Sequence, residues 1–265
     1  MNNQTVENYL NDLAVNLTLP QNEKDKIDAS IKVIKDKLVL AFFDYGLKEV
    51  KPIGSYDRGT LLSRKVDTES DVDILIVFDE KKWESQTYLN KLKQFANDEY
   101  PRADNYQDHP TIVIELNHIK FELIPCVFKA KTFFDDPKYL IPKRVNSEIE
   151  WIETFPNYLK NKIGEFEETG VALLKLIHLF KNHNFKNQDI YKTYVLEKFI
   201  IKNFDFENSL ASNCFRIIRR INYIDGIDHK ENVKLKKHKF NIELLLEHDM
   251  EEYAMMELKK MFPHL

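Results

Sequence analysis

The strongest constraint on this fold is the stretch Val72-Asp73-Ile74-Leu75-Ile76-Val77-Phe78. It is a nearly unbroken apolar, β-branched run, the pattern of a strand buried on both faces. Two acids, Asp71 and Asp73, stand at its beginning. On a strand, residues two apart project to the same side, so these carboxylates come out together at the strand's start. Like charges so placed repel each other. A hard divalent cation, which takes oxygen ligands, relieves that repulsion.

The rest of the chain sorts by periodicity. Helices are expected over residues 6–17 and from Asn22 onward, with Leu19-Pro20 as the stop and start signal. In the second helix Ile27, Ile31, Ile34, Leu38 and Phe42 recur at three- and four-residue spacing and mark one packed face. Residues 50–53 are short and β-prone and lead into Gly54-Ser55-Tyr56-Asp57-Arg58-Gly59-Thr60, which ends a strand and opens a helix. A helix follows over 85–99. Strands at 111–116 and 119–127 meet at Asn117-His118. From about residue 155 the spacing predicts only helices: 171–182, 191–203, 208–223, 233–248 and 250–261. Residues 129–150 hold two prolines and little periodicity, and the junction between lobes is placed within or just after them. Strands followed by helices make an α+β chain: a sheet lobe over 1–150, with the N-terminal helices, then a helical lobe over 151–265.

Composition narrows the function classes. A chain of 265 residues with 43% apolar and 31% charged residues is an ordinary globular protein, long enough to bury a core. Acidic residues outnumber basic ones, 43 to 39, so no global basic excess is present to grip long nucleic acid. Cys126 and Cys214 form no framework and read as reduced, buried thiols. The first residues lack the order of a signal peptide, and no apolar run approaches membrane-spanning length. A cytoplasmic protein is the expectation, with no membrane partner.

The acids at Asp71 and Asp73 gain a third in Phe121-Glu122-Leu123-Ile124-Pro125, where Glu122 interrupts an apolar strand. An acid that points away from the core of a central strand needs a purpose, and phosphoryl transfer supplies one. One metal ion lowers the pKa of an attacking hydroxyl, while a second neutralises the triphosphate and the leaving pyrophosphate. Gly54 lets the backbone approach a phosphate closely. The Ser55 hydroxyl and nearby amides can donate to phosphate oxygens. Arg58 either adds charge there or braces the loop.

Gly-Ser, a gap, Asp-x-Asp and a later acid together resemble the nucleotidyltransferase signature of the polymerase-β superfamily. The phrase running from Gly54 to Thr60 and from Ser70 to Asp79 resembles two branches: the CD-NTases, which are cGAS/DncV-like nucleotidyltransferases, and the archaeal-type CCA-adding enzymes. Three later segments favour the CD-NTases. Trp151-Ile152-Glu153-Thr154-Phe155-Pro156 is similar to an element that follows their catalytic sheet. Leu173 to Lys181 is similar to their core helix, which ends in a triphosphate-binding lysine. Lys192-Thr193-Tyr194-Val195-Leu196-Glu197 is similar to a motif whose hydroxyl binds phosphate and whose tyrosine packs on the base.

The resemblance implies a polymerase-β-like nucleotidyltransferase with its active site in the cleft between the lobes. Asp71, Asp73 and Glu122 would hold two magnesium ions, for which manganese can substitute. Gly54, Ser55, Arg58, Lys181, Thr193 and Tyr194 would bind substrate. The substrates would be ribonucleoside triphosphates, ATP among them, and the product a cyclic di- or trinucleotide second messenger that signals to an effector in antiphage (CBASS) defence. Two departures stand out: Glu122 replaces the aspartate usual in the family, and Asn182-His183 follow Lys181 where a small residue and Trp are preferred.

Two other readings compete. A CCA-adding or poly(A)-type enzyme would need a basic RNA surface, and the run 234–239 reads instead as a solvated helix face. A catalytically silent regulatory partner would have no use for an intact carboxylate set. On residue pattern alone, Lys181 could be a lysine reaching to water, Tyr194 an ordinary core aromatic and Lys175 a structural residue.

Overall fold

The computed structural model describes residues 4–79, 82–108, 110–130, 138–145, 148–166, 168–185, 193–221 and 229–262. They form two compact units. One holds Met1–Thr18, Lys65–Thr68 and Asn161–Leu265; the other holds Leu19–Arg64 and Glu69–Lys160.

The second unit carries the sheet. Chain order runs α1 (Gln4–Asn16), α2 (Gln21–Phe42), β1 (Leu47–Pro52), α3 (Gly54–Asp57), β2 (Asp71–Phe78), α4 (Ser85–Glu99) and β3 (Asp104–Asp108), of which α1 belongs to the other unit. Then come β4 (Thr111–Glu115), β5 (Lys120–Lys129), β6 (Lys138–Val145) and β7 (Glu148–Thr154). The strands lie in the order β1-β2-β5-β4-β3, and β6 pairs with β5 and with β7. Among the described residues only the central β2–β5 pair is parallel. Pro125, which has no N–H to donate, sits where β5 exchanges one neighbour for another: pairing with β4 stops at Leu123 and pairing with β6 starts at Val127.

Alternation along β2 gives the sheet two unlike faces. Val72, Ile74, Ile76 and Phe78 join Phe121, Leu123 and Val127 in the main core, with Ile27, Ile34 and Leu38 of α2 and Leu89, Leu92 and Phe95 of α4. On the other face Leu75, Val77 and Cys126 make a small cluster with Ile53, Ile124 and Tyr139 beside it. Asp71 and Asp73 continue that second face toward the start of β2.

The helical unit comprises α1 together with the end of α5 (Tyr158–Gly164) and α6 (Glu168–Asn184), α7 (Thr193–Asn203), α8 (Leu210–Ile221), α9 (His229–Glu247) and α10 (Glu251–Lys259). Leu173, Leu176, Ile177 and Phe180 of α6 are buried, as are Leu10 of α1, Ile217 of α8 and Leu258 of α10. The Glu7 carboxylate accepts from the backbone N–H groups of Leu210 and Ala211, at 3.0 and 2.8 Å, and so closes the α8 N-terminus. Lys175, read as structural, is buried and donates to Thr18 Oγ1 at 3.1 Å.

The α+β class holds, and so do most helices. Three local expectations change. Within 129–150, read as having little periodicity, lie β6 and most of β7, which pair antiparallel. A polar edge strand, β3, was not foreseen. The helix opened by Gly54 is a single turn. Both cysteines are buried and without a disulfide; burial pushes each thiol up to about 12. No helix among the described residues is long and apolar enough to cross a membrane. Within the run 234–239, the side chains of 234–236 lie outside the described residues.

Candidate active site

Register assembles the acids. In the parallel β2–β5 ladder Asp73 lies opposite Glu122, and Asp71 opposite Lys120. Partnered residues of neighbouring strands share a face, so Asp71, Asp73 and Glu122 project to one side, away from the main core. All three are half-buried.

Glu122 shows what this proximity costs. Desolvation by burial, then the charges of Asp71 and Asp73, push its pKa from 4.5 up to about 8, while a hydrogen bond from Thr111 works the other way. That bond runs from Thr111 Oγ1 to Glu122 Oε2 at 3.1 Å. Lys120, next along the same face, is held by Glu69 at 2.9 Å.

Gly54 has a structural reason. Its φ is +72°, and a Cβ placed there would lie 2.0 Å from Asp73 Oδ2. The loop therefore presses its backbone directly against the aspartate, aided by the hydrogen bond from Ile53 N–H to the Asp73 carbonyl at 2.9 Å. The Ser55 carbonyl accepts from the amides of Thr60 and Leu61, at 2.9 and 3.1 Å, and folds the loop back on itself. Outside anchors hold the turn. Tyr56 Oη donates to Asp28 Oδ1 of α2 at 2.6 Å, and Lys160 Nζ donates to Asp57 Oδ1 at 2.7 Å. Burial and then Asp28 raise the Tyr56 pKa, so the phenol stays a donor. Arg58 is half-buried at the end of the same turn.

Lys181, Thr193 and Tyr194 belong to the helical unit. Lys181 lies in the last turn of α6, half-buried. Beside it, Asn182 donates to Asp67 Oδ2 at 2.7 Å, which gives that departure from the family pattern a local role. Thr193 opens α7 and is exposed. Tyr194 is 48% exposed, with the Lys198 ammonium 5.3 Å from its ring centre, so it is no core aromatic. Lys192 lies outside the described residues.

The donor chemistry fits a hard divalent ion: carboxylate oxygens on one face, with a repulsion that an ion would relieve. Among the described residues no group of three or more His, Cys, Asp or Glu side chains already converges as a ready-made ion site. Thr111 was missed by sequence reasoning, because only strand register connects it to Glu122.

Comparison with known proteins identifies the family and the fold. The family described as Second Messenger Oligonucleotide or Dinucleotide Synthetase domain matches residues 4–166. No curated protein matches the chain. Among solved structures, the Bradyrhizobium diazoefficiens CD-NTase CdnG in complex with GTP is similar with a TM-score of 0.68 and 14% identity, over 81% of this chain and 75% of that one. Vibrio cholerae DncV in its apo form gives 0.59 and 11%, over 100% and 80%. The Rhodothermus marinus CdnE c-UMP-AMP synthase with Apcpp and Upnpp gives 0.55 and 13%, over 80% and 90%. At these identities the likeness shows the fold.

Proposed function

The chain belongs to the Second Messenger Oligonucleotide or Dinucleotide Synthetase domain family and is a nucleotidyltransferase; from that premise we propose that it joins ribonucleoside triphosphates into a cyclic di- or trinucleotide and releases pyrophosphate. The observation that carries this reading is the placement of Asp73 opposite Glu122, with Asp71 on the same face and both aspartates raising the Glu122 pKa.

Asp71, Asp73 and Glu122 are the residues that would hold magnesium. Bound there, the ions would supply a more acidic acceptor hydroxyl and charge neutralisation at the triphosphate. The protein's own part is positioning. Gly54 lets the loop close on Asp73 without a side chain in the way. Ser55, on that loop, is assigned a phosphate contact, and Arg58 adds charge nearby. Lys181, Thr193 and Tyr194 are assigned the phosphate and base contacts that the family resemblance implies. A role in antiphage signalling through an effector that binds the product follows from the same resemblance.

The test is direct. The protein is incubated with the four ribonucleoside triphosphates and magnesium, without RNA, and phosphatase-resistant products are identified by mass spectrometry. A small cyclic product is expected, and Asp71→Ala and Asp73→Ala each abolish it with the fold intact. Pyrophosphate release that survives in the double variant overturns the site, and a product formed only when RNA is added overturns the substrate class.

A further inference from the structure

Resting on the site reading above, we propose that Thr111 is the positioning residue for Glu122. Its hydroxyl fixes one carboxylate oxygen so that the other is presented toward Asp71 and Asp73.

Four observations converge on this. Thr111 opens β4, and the residue is only 7% exposed. In the β4–β5 ladder Val113 is the residue opposite Glu122. Thr111 therefore sits two positions along, on the same face and diagonal to Glu122, within reach of a long side chain. Its Oγ1 lies 3.1 Å from Glu122 Oε2 and 2.8 Å from the Asp108 carbonyl. Among the described residues, Thr111 is the one side-chain hydrogen-bond partner of Glu122. A β-branched side chain has few rotamers on a strand, and its one hydroxyl proton is shared between the Asp108 carbonyl and Glu122 Oε2. Thr111 thus offers Glu122 a fixed point where a longer, more flexible acid would otherwise wander. That requirement belongs to this chain, because Glu122 has one more methylene to control than an aspartate would.

The chemistry follows from hydrogen-bond capacity. A carboxylate that gives one oxygen to a neighbouring hydroxyl keeps the other for an ion. Partners of this kind orient ligands, and their loss costs about 10- to 100-fold in ion affinity or activity.

The experiment uses three variants of the full chain: Thr111→Val, Thr111→Ser and Glu122→Gln. Manganese binding to the protein alone is followed by electron paramagnetic resonance, and kcat and KM are measured with the four triphosphates. Thr111→Val keeps the branched shape, so thermal melts should show a folded protein. It should weaken manganese binding about 10-fold or more and lower kcat, with the KM for triphosphate little changed. Thr111→Ser restores the hydroxyl and should recover most of both. A merely structural role would move the melting temperature and leave manganese affinity alone. If Thr111→Val binds manganese and turns over like the parent while Glu122→Gln does neither, the positioning role is overturned and the site stands. If Glu122→Gln is itself unaffected in both measurements, the site reading fails, and the role of Thr111 falls with it.

Discussion

Gly54 and Gly59 sit on one loop with nearly the same left-handed backbone, φ +72° and +70°, yet their surroundings differ. A Cβ at Gly59 meets nothing within 4 Å, whereas at Gly54 it meets the Asp73 carboxylate at 2.0 Å. Both alanine variants should lose about 1–3 kcal/mol of stability from the backbone alone. Only Gly54→Ala should also displace the aspartate, and a fall in pyrophosphate release of at least about 10-fold is expected from a misplacement of that size. Paired melting curves and activity assays check this, since equal activity loss in the two variants would mean that the close approach to Asp73 is unimportant. Glu122 teaches a related lesson. Its desolvation and the two neighbouring charges penalise the ionised form, and the apolar residues on either side of it in β5 are what make that penalty visible in the sequence.

Among the elements, α8 depends on a group far away in sequence. Glu7 of α1 accepts from the first amides of α8 and places a negative charge at the positive end of that helix. Glu7→Ala should lower the stability of the helical residues by about 1–2 kcal/mol, and Glu7→Gln, which keeps an acceptor, by less. Urea unfolding followed by far-ultraviolet circular dichroism checks the order of the two. Elements with strong internal periodicity were legible from the start. In α2 the apolar spacing marks the buried face, and in β2 the uninterrupted run marks a central strand. Elements whose reason lies in a partner were not. The strand β3, Asp-Asn-Tyr-Gln-Asp, has no apolar face of its own and exists because β4 supplies its hydrogen bonds. Strands β6 and β7 contain Pro142 and several charges, and they pair chiefly with each other at the sheet's margin, where such residues are tolerated. The acids could be picked out because two of them share a strand and the third breaks an apolar pattern. Thr111 could not, because its contact with Glu122 depends on a strand register that no local pattern encodes.

At the scale of the whole molecule, a site that concentrates negative charge trades stability for function. The folded-state pKa of Glu122, about 8, lies above its ordinary 4.5. Between those values the folded chain keeps a proton that the unfolded chain has released. Stability therefore falls as pH rises through that window, and the loss is complete above the folded pKa. Glu122→Gln carries no titrating group at that position, so its stability should decline less over the same window. Urea unfolding of both proteins from pH 5 to pH 9, with a chelator present, reads the effect as a difference between two slopes, to which only Glu122 and the two aspartates coupled to it contribute. Magnesium should act in the opposite sense. An ion that binds only the folded chain raises its stability by mass action, more for the parent than for Glu122→Gln, and most where Glu122 is already ionised. A parent protein whose stability does not fall with pH in chelator, relative to Glu122→Gln, would show that the three carboxylates do not share one field. The electrostatic ground for placing an ion among them would then be lost, whatever the fold.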